Sequence, residues 1–142
     1  MPKKLKRNAM ALVEEARGQI EEIDVTDALA LHAAGDCLIV DVRDVRERAR
    51  DGFIPGSVHC PRGMVEFWID PESPYYKPVF DTDKKLLFHC ALDFRSALTV
   101  HTVTRMGVDN AAHLKGGLKA WREAGGPLEY PADRLGTDGK SK

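Results

Sequence analysis

Apolar and polar positions alternate in blocks along this chain, and each block has its own period. Residues 5 to 17, LKRNAMALVEEAR, bring Leu5, Ala9, Leu12 and Ala16 onto one helical face, and Gly18 stops the run. QIEEIDV then reads as a short strand. Asp24 and Asp27 have the spacing of a helix start ahead of TDALALHAA, and Gly35 suits its end. CLIVDVR (37–43) is a continuous apolar, β-branched run, the pattern of a strand buried on both faces. Asp44 and Glu47 repeat the cap spacing before VRERAR. DGFIPGSVHCPRG reads as loop, MVEFWID as a helical turn, and PESPYYKPVFDTDKK as a proline-broken excursion. LLFHC (86–90) and NAAHL (110–114) are further buried strands, and GGLKAWREAG is a closing helix stopped by Gly125, Gly126 and Pro127.

One block carries conflicting signals. ALTVHTVT (97–104) is rich in Val and Thr, which favours a strand. Parallel strands on either side need a crossover, usually helical, so the segment is expected to be a helix ending near Gly107. Strands alternating with helices predict an α/β domain, a parallel sheet with helices on both faces. The first helix stands outside this pattern. It is expected to fold back on the domain, with homodimer formation through it as the alternative.

Composition narrows the class. The chain has 142 residues, 43% hydrophobic and 30% charged, enough for one domain with a real core. A formal net charge of -1 gives no global field for nucleic acid or an anionic membrane, and the basic start PKKLKR reads as a solvated tail. No apolar stretch is long enough to span a bilayer, and no apolar signal region follows the basic start. Cys37, Cys60 and Cys90 make an odd set without CxxC spacing, so neither a disulfide framework nor a zinc cage is expected. A reducing cytoplasm fits these features.

The chemistry concentrates at HCALDFRS (89–96). Cys90 ends an apolar strand, where open α/β sheets place ligand crevices. Residues 91 to 95 then turn into a helix whose first N–H groups lack internal partners and carry partial positive charge. Such a loop favours thiolate, the reactive form of cysteine, and Arg95 adds a fork of donors suited to an oxyanion. A buried structural cysteine beside a surface arginine accounts for these two residues alone equally well.

Four stretches in order resemble the rhodanese family of sulfurtransferase domains: LIVDVRDVRE (38–47), GFIPGSVHCPRG (52–63), HCALDFRS (89–96) and HLKGGLKAWREAGGP (113–127). The resemblance divides the chain into an N-terminal helical extension (1–21), a rhodanese-like domain (22–129) and a C-terminal tail (130–142). It implies a five-stranded parallel sheet, with Cys90 as the nucleophile that carries sulfur as a persulfide. Ala91, Leu92, Asp93 and Phe94 would form the loop around the bound sulfur, Arg95 would close it, and Arg62 would lie near the donor. Cysteine phosphatases and arsenate reductases on this scaffold have one residue more between cysteine and arginine. The implied partners are a small sulfur donor and a thiol, cyanide or protein-thiol acceptor, with no metal or organic cofactor. Asp93 departs from the family pattern, and its carboxylate is expected to point out of the cradle. The rival from another class is a non-catalytic binding module.

The remaining candidates read as structural. Asp41 and Arg43 would brace the edge of the site or tie loops together. Phe67 and Trp68 would wall the pocket or pack in the core. His89 should point away from the thiol, because neighbouring strand residues face opposite sides. His59 and His113 lack a partner that the sequence identifies.

Overall fold

The computed structural model describes residues 1 to 131. The elements run α1 (Ala9–Arg17), β1 (Glu21–Ile23), α2 (Val25–Ala34), β2 (Cys37–Asp41), α3 (Val45–Asp51), β3 (Val58–His59), α4 (Val65–Ile69), β4 (Lys85–His89), α5 (Phe94–Arg105), β5 (Ala111–Leu114) and α6 (Gly117–Glu123). The strands form a five-stranded sheet in the order β1-β5-β4-β2-β3, and every pairing is parallel. Parallel strands need crossovers, which is why ALTVHTVT is helical within α5 despite its composition.

Strand alternation divides the core in two. On one face Val40, Leu86 and Phe88 pack with Val65 and Ile69 of α4 and Val100 and Val103 of α5. On the other, Ile39, Leu87 and Ala112 pack with Ala28 of α2 and Leu118 and Trp121 of α6. The caps form as the spacing predicts. Asp24 accepts from the Asp27 N–H at 3.0 Å. Asp44 accepts from the Glu47 N–H at 3.0 Å while the Glu47 carboxylate accepts from the Asp44 N–H at 3.0 Å.

Three details differ from expectation. The first helix begins at Ala9, capped by Asn8, and buries Val13 and Ala16 while Leu5 and Leu12 stay exposed. That narrow stripe meets Ala97 and Leu98 of α5, so the helix folds back on its own domain. The segment read as loop before α4 contains β3, an edge strand of two residues paired with β2. Phe53 exchanges two backbone hydrogen bonds of 2.8 Å with Glu129, so the chain leaving α6 is tied back beside Gly52. The expected tail at 130–142 lies almost wholly outside the described residues.

A buried ion pair closes the carboxyl end of β2. Asp41 and Arg43 are both fully buried, and the Arg43 fork donates to the two Asp41 oxygens at 3.0 and 2.8 Å and to the Gly52 carbonyl at 2.8 Å. Arg48 adds a third contact to Asp41 at 2.9 Å. Burial opposes ionisation of Asp41, but the Arg43 hydrogen bonds outweigh it and hold the carboxyl far below the usual carboxylate range. Removing one partner strands the other as a buried charge, so Asp41→Ala should cost about 3–5 kcal/mol in urea unfolding. The folded-state value lies below the unfolded value of about 3.9, so this stabilisation is present above that pH and is lost as acid protonates the folded form. The wild-type protein should therefore lose more stability in acid than Asp41→Ala loses.

Candidate active site

Cys90 follows the last residue of β4 at the carboxyl edge of the sheet. The residue is 1% exposed and lies at a pocket of about 110 Å3 lined by Cys90, Ala91, Leu92, Phe94 and Arg95. At roughly 30 Å3 per water, that is room for about three to four small groups. A larger groove of about 630 Å3 lies among the amino ends of β2 and β4 and the α2 surface, lined by Glu21, Asp27, Asp36 and Lys85 among others. It contains no cysteine, and its wall at Lys85 stands at the opposite end of β4 from Cys90.

The loop is held from behind by α6. The Cys90 carbonyl accepts from the Leu118 N–H at 2.9 Å, and the Ala91 carbonyl accepts from the Lys119 N–H at 3.1 Å. In a trans peptide the N–H points opposite to the C=O, and no peptide here is cis. The N–H groups of Ala91 and Leu92 are therefore turned away from α6. Both residues line the pocket, and no α6 residue does. The approach requires glycine. Gly117 has φ +63°, and a Cβ there would fall 1.8 Å from the Leu92 carbonyl oxygen. The N–H groups from 91 to 95 donate to no acceptor among the described residues, and the first bond of α5 runs from the Ala97 N–H to the Asp93 carbonyl at 3.1 Å.

Arg95 makes a two-pronged ion pair with Glu47 of α3 at 2.9 and 2.8 Å. The guanidinium holds the Glu47 carboxyl below its ordinary value. Asp93 faces away from Arg95. One carboxylate oxygen accepts from Arg17 at the end of α1, and the other accepts from the Gly116 N–H at 2.9 Å. Arg62 pairs with Glu66 at 2.9 Å, reaches toward Thr102 and does not line the pocket. Trp68 packs against the core with Lys77 over its ring, while Phe67 is exposed.

The histidines separate by face. His89 turns its Nδ1 to the Cys90 carbonyl at 3.1 Å, away from the sulfur, and burial lowers its pKa. His113 has an acid partner that the sequence reading missed: its Nε2 lies 2.8 Å from Glu22. Its Nδ1 lies 2.9 Å from the Ser96 hydroxyl, which sits 3.7 Å from the Cys90 sulfur. The visible signals were Ser96 directly after Arg95 and His113 within a strand, but only the β1–β5 register brings Glu22 beside that histidine.

The other two thiols do not line the pocket. Cys60 is fully buried, and burial pushes it up to about 12. Burial also raises the half-buried Cys37. Among the described residues, no cluster of His, Cys, Asp and Glu is arranged to hold a metal ion, and no helix is long and apolar enough to cross a membrane.

The rhodanese-like domain model matches residues 24–124, most of the chain. The chain belongs to the rhodanese-like family. It is 30% identical over 91 residues to the mouse thiosulfate sulfurtransferase/rhodanese-like domain-containing protein 3, covering 61% of this chain but only 58% of that relative. It is 24% identical to the human thiosulfate:glutathione sulfurtransferase, covering 71% of this chain and 92% of that one. Among solved structures, a Rhodopseudomonas palustris protein of unknown function, described as a possible tyrosine phosphatase, superposes with a TM-score of 0.87 at 53% identity, covering 91% of this rhodanese-like chain and 99% of its own.

Two outcomes check this geometry. Iodoacetamide near neutral pH should alkylate Cys90 and leave Cys60 unmodified, read by peptide mass. Gly117→Ala forces a left-handed conformation costing about 1–2 kcal/mol before any clash with Leu92, so it should lower the urea midpoint and slow Cys90 alkylation.

Proposed function

We propose that this chain is a sulfurtransferase in which Cys90 takes up a sulfane sulfur and passes it on. The observation that carries the reading is a cysteine at a small pocket lined by a loop whose peptide N–H groups are turned away from α6 and donate to no acceptor among the described residues. Thiosulfate is the simplest donor. The Cys90 thiolate attacks its outer sulfur, a sulfur–sulfur bond forms, the bond to the sulfite sulfur breaks, and sulfite leaves with the electron pair. The anionic persulfide then sits among the loop amides at the amino end of α5, which stabilise negative charge there. An acceptor thiolate or cyanide attacks the terminal sulfur and restores the Cys90 thiolate.

The residues divide this work. Ala91, Leu92, Asp93 and Phe94 supply the loop, and Arg95 holds it to α3 through Glu47. Leu92 and Phe94 are 44% and 41% exposed at the mouth and offer apolar contact to an acceptor, including a protein thiol. Arg62 is held by Glu66 and serves a donor only from outside the pocket.

Phosphatase chemistry is the second reading, raised by the description of the R. palustris protein. Four residues between Cys90 and Arg95, and a pocket of about 110 Å3, fit a sulfur atom better than a phosphorylated side chain. Intact mass after incubation with thiosulfate or a persulfide donor separates the readings. The wild type should gain one sulfur atom, removable by cyanide or reductant, and Cys90→Ser should gain none. Absence of gain with every donor, or phosphatase turnover lost in Cys90→Ser, counts against sulfur transfer.

A further inference from the structure

Behind Cys90 lies a continuous chain of polar groups that the loop does not require. The Cys90 sulfur is 3.7 Å from the Ser96 hydroxyl, that hydroxyl is 2.9 Å from Nδ1 of His113, and Nε2 of His113 is 2.8 Å from Glu22. Ser96 and His113 are fully buried, while the Glu22 side chain is 27% exposed. The chain thus begins at a buried sulfur and ends at water, at the wall of the large groove.

The donor directions follow from chemistry. A carboxylate only accepts, so Nε2 of His113 carries the hydrogen it gives to Glu22. In the neutral ring Nδ1 is then an acceptor, and the Ser96 O–H donates to it. The Ser96 oxygen keeps lone pairs for the Cys90 S–H. The Asp93 carbonyl, 3.3 Å from the same hydroxyl, is its alternative acceptor. The charged groups around the imidazole are Glu22 on β1, Asp93 on the loop and Arg17 on α1. Burial lowers its pKa, so the ring rests neutral, while the Glu22 carboxylate opposes that shift and stabilises the imidazolium when it forms.

We propose that Ser96, His113 and Glu22 form a proton relay that removes the Cys90 thiol proton before sulfur uptake and returns it when the cysteine leaves the transferred sulfur. The proposal rests on Cys90 being the sulfur-carrying nucleophile. In the first half-reaction the S–H proton passes to the Ser96 oxygen while the Ser96 proton passes to Nδ1 of His113. The products are a thiolate and an imidazolium bonded to the Glu22 carboxylate. The hydroxyl has reversed, accepting from Nδ1–H and donating to sulfur. In the second half-reaction the acceptor thiolate takes the terminal sulfur, the Cys90 thiolate departs, and the same two protons move back. No oxidant or reductant is consumed. Ser96 touches the reacting sulfur; His113 and Glu22 are positioning residues that act through it.

The test is the rate of Cys90 alkylation by iodoacetamide from about pH 5 to about pH 9, read by peptide mass. An internal base holds a fraction of thiolate–imidazolium pair that does not depend on pH between the two titrations, so the wild-type rate should flatten on the acid side. In Ser96→Ala and His113→Gln the rate should instead fall about tenfold per pH unit, the behaviour of a thiol exchanging only with solvent. Ser96→Thr keeps a hydroxyl and should restore the plateau. Glu22→Gln, on a partly exposed edge strand, should lower the plateau and covers the case in which the buried variants do not fold. Profiles of folded Ser96→Ala and Glu22→Gln that overlay the wild type overturn the relay. Alkylation needs no sulfur donor, so a plateau without sulfur loading keeps the proton path from Cys90 and rejects its use in sulfur transfer, whereas loading without a plateau rejects the relay and keeps sulfur transfer.

Discussion

The site depends on the seating of the Cys90 loop against the amino end of α6. Two backbone hydrogen bonds fix the carbonyls of Cys90 and Ala91 on that side. Peptide planarity then leaves the following N–H groups no choice of direction. The electrostatic character of the pocket is therefore set behind it, at Gly116 and Gly117. Gly117 removes the side chain that would keep the two backbones apart, and Gly116 gives its N–H to Asp93. A charged side chain in the pocket would be flexible and hydrated. Peptide dipoles held by a helix are already oriented and need no reorganisation when charge develops.

Asp93 shows how this constraint handles an apparent liability. A carboxylate aimed at the pocket would oppose negative charge at the Cys90 sulfur. Here the backbone turn carries that side chain behind the loop, where Arg17 and the Gly116 N–H neutralise it. It becomes a strut between α1, the loop and the turn before α6. Arg95 is the corresponding strut on the other side, fastened to Glu47, which also caps α3. The loop is thus clamped from three elements that are distant in sequence, and little of its geometry is left to its own conformational preferences.

What was legible from sequence follows the same division between local and distant. Periodicity and cap spacing locate β2, β4, α2 and α3, because those signals sit within a few residues of each other. The helix at 97–104 is legible only by weighing topology over Val and Thr propensity. β3 is missed because two residues of edge strand are specified by main-chain pairing with β2, which leaves no side-chain period. The face of α1 is misread because two stripes satisfy a helical period, and only contact with Ala97 selects Val13 with Ala16. Cys90, Arg95 and the loop between them are local and readable. The partners of Asp93 and His113 are not, since Arg17 and Glu22 arrive from the other end of the chain.

The elements that meet at the loop do not all come from the same part of the chain. The rhodanese-like match begins at residue 24, after both Arg17 and Glu22. Arg17 bonds Asp93 and lies 3.9 Å from Glu22, so one guanidinium touches the loop strut and the outer end of the polar chain behind Cys90. Its side chain is only 25% exposed, which limits screening by water and makes that placement count for more than an ordinary surface contact. The burial of Val13 and Ala16 on α5 fixes where the guanidinium stands. The helix that buries Val13 and Ala16 thus also sets the charge beside the cysteine loop. The sulfur-facing side of the site is built by the matched domain, and part of its charge balance is supplied by the segment that precedes it.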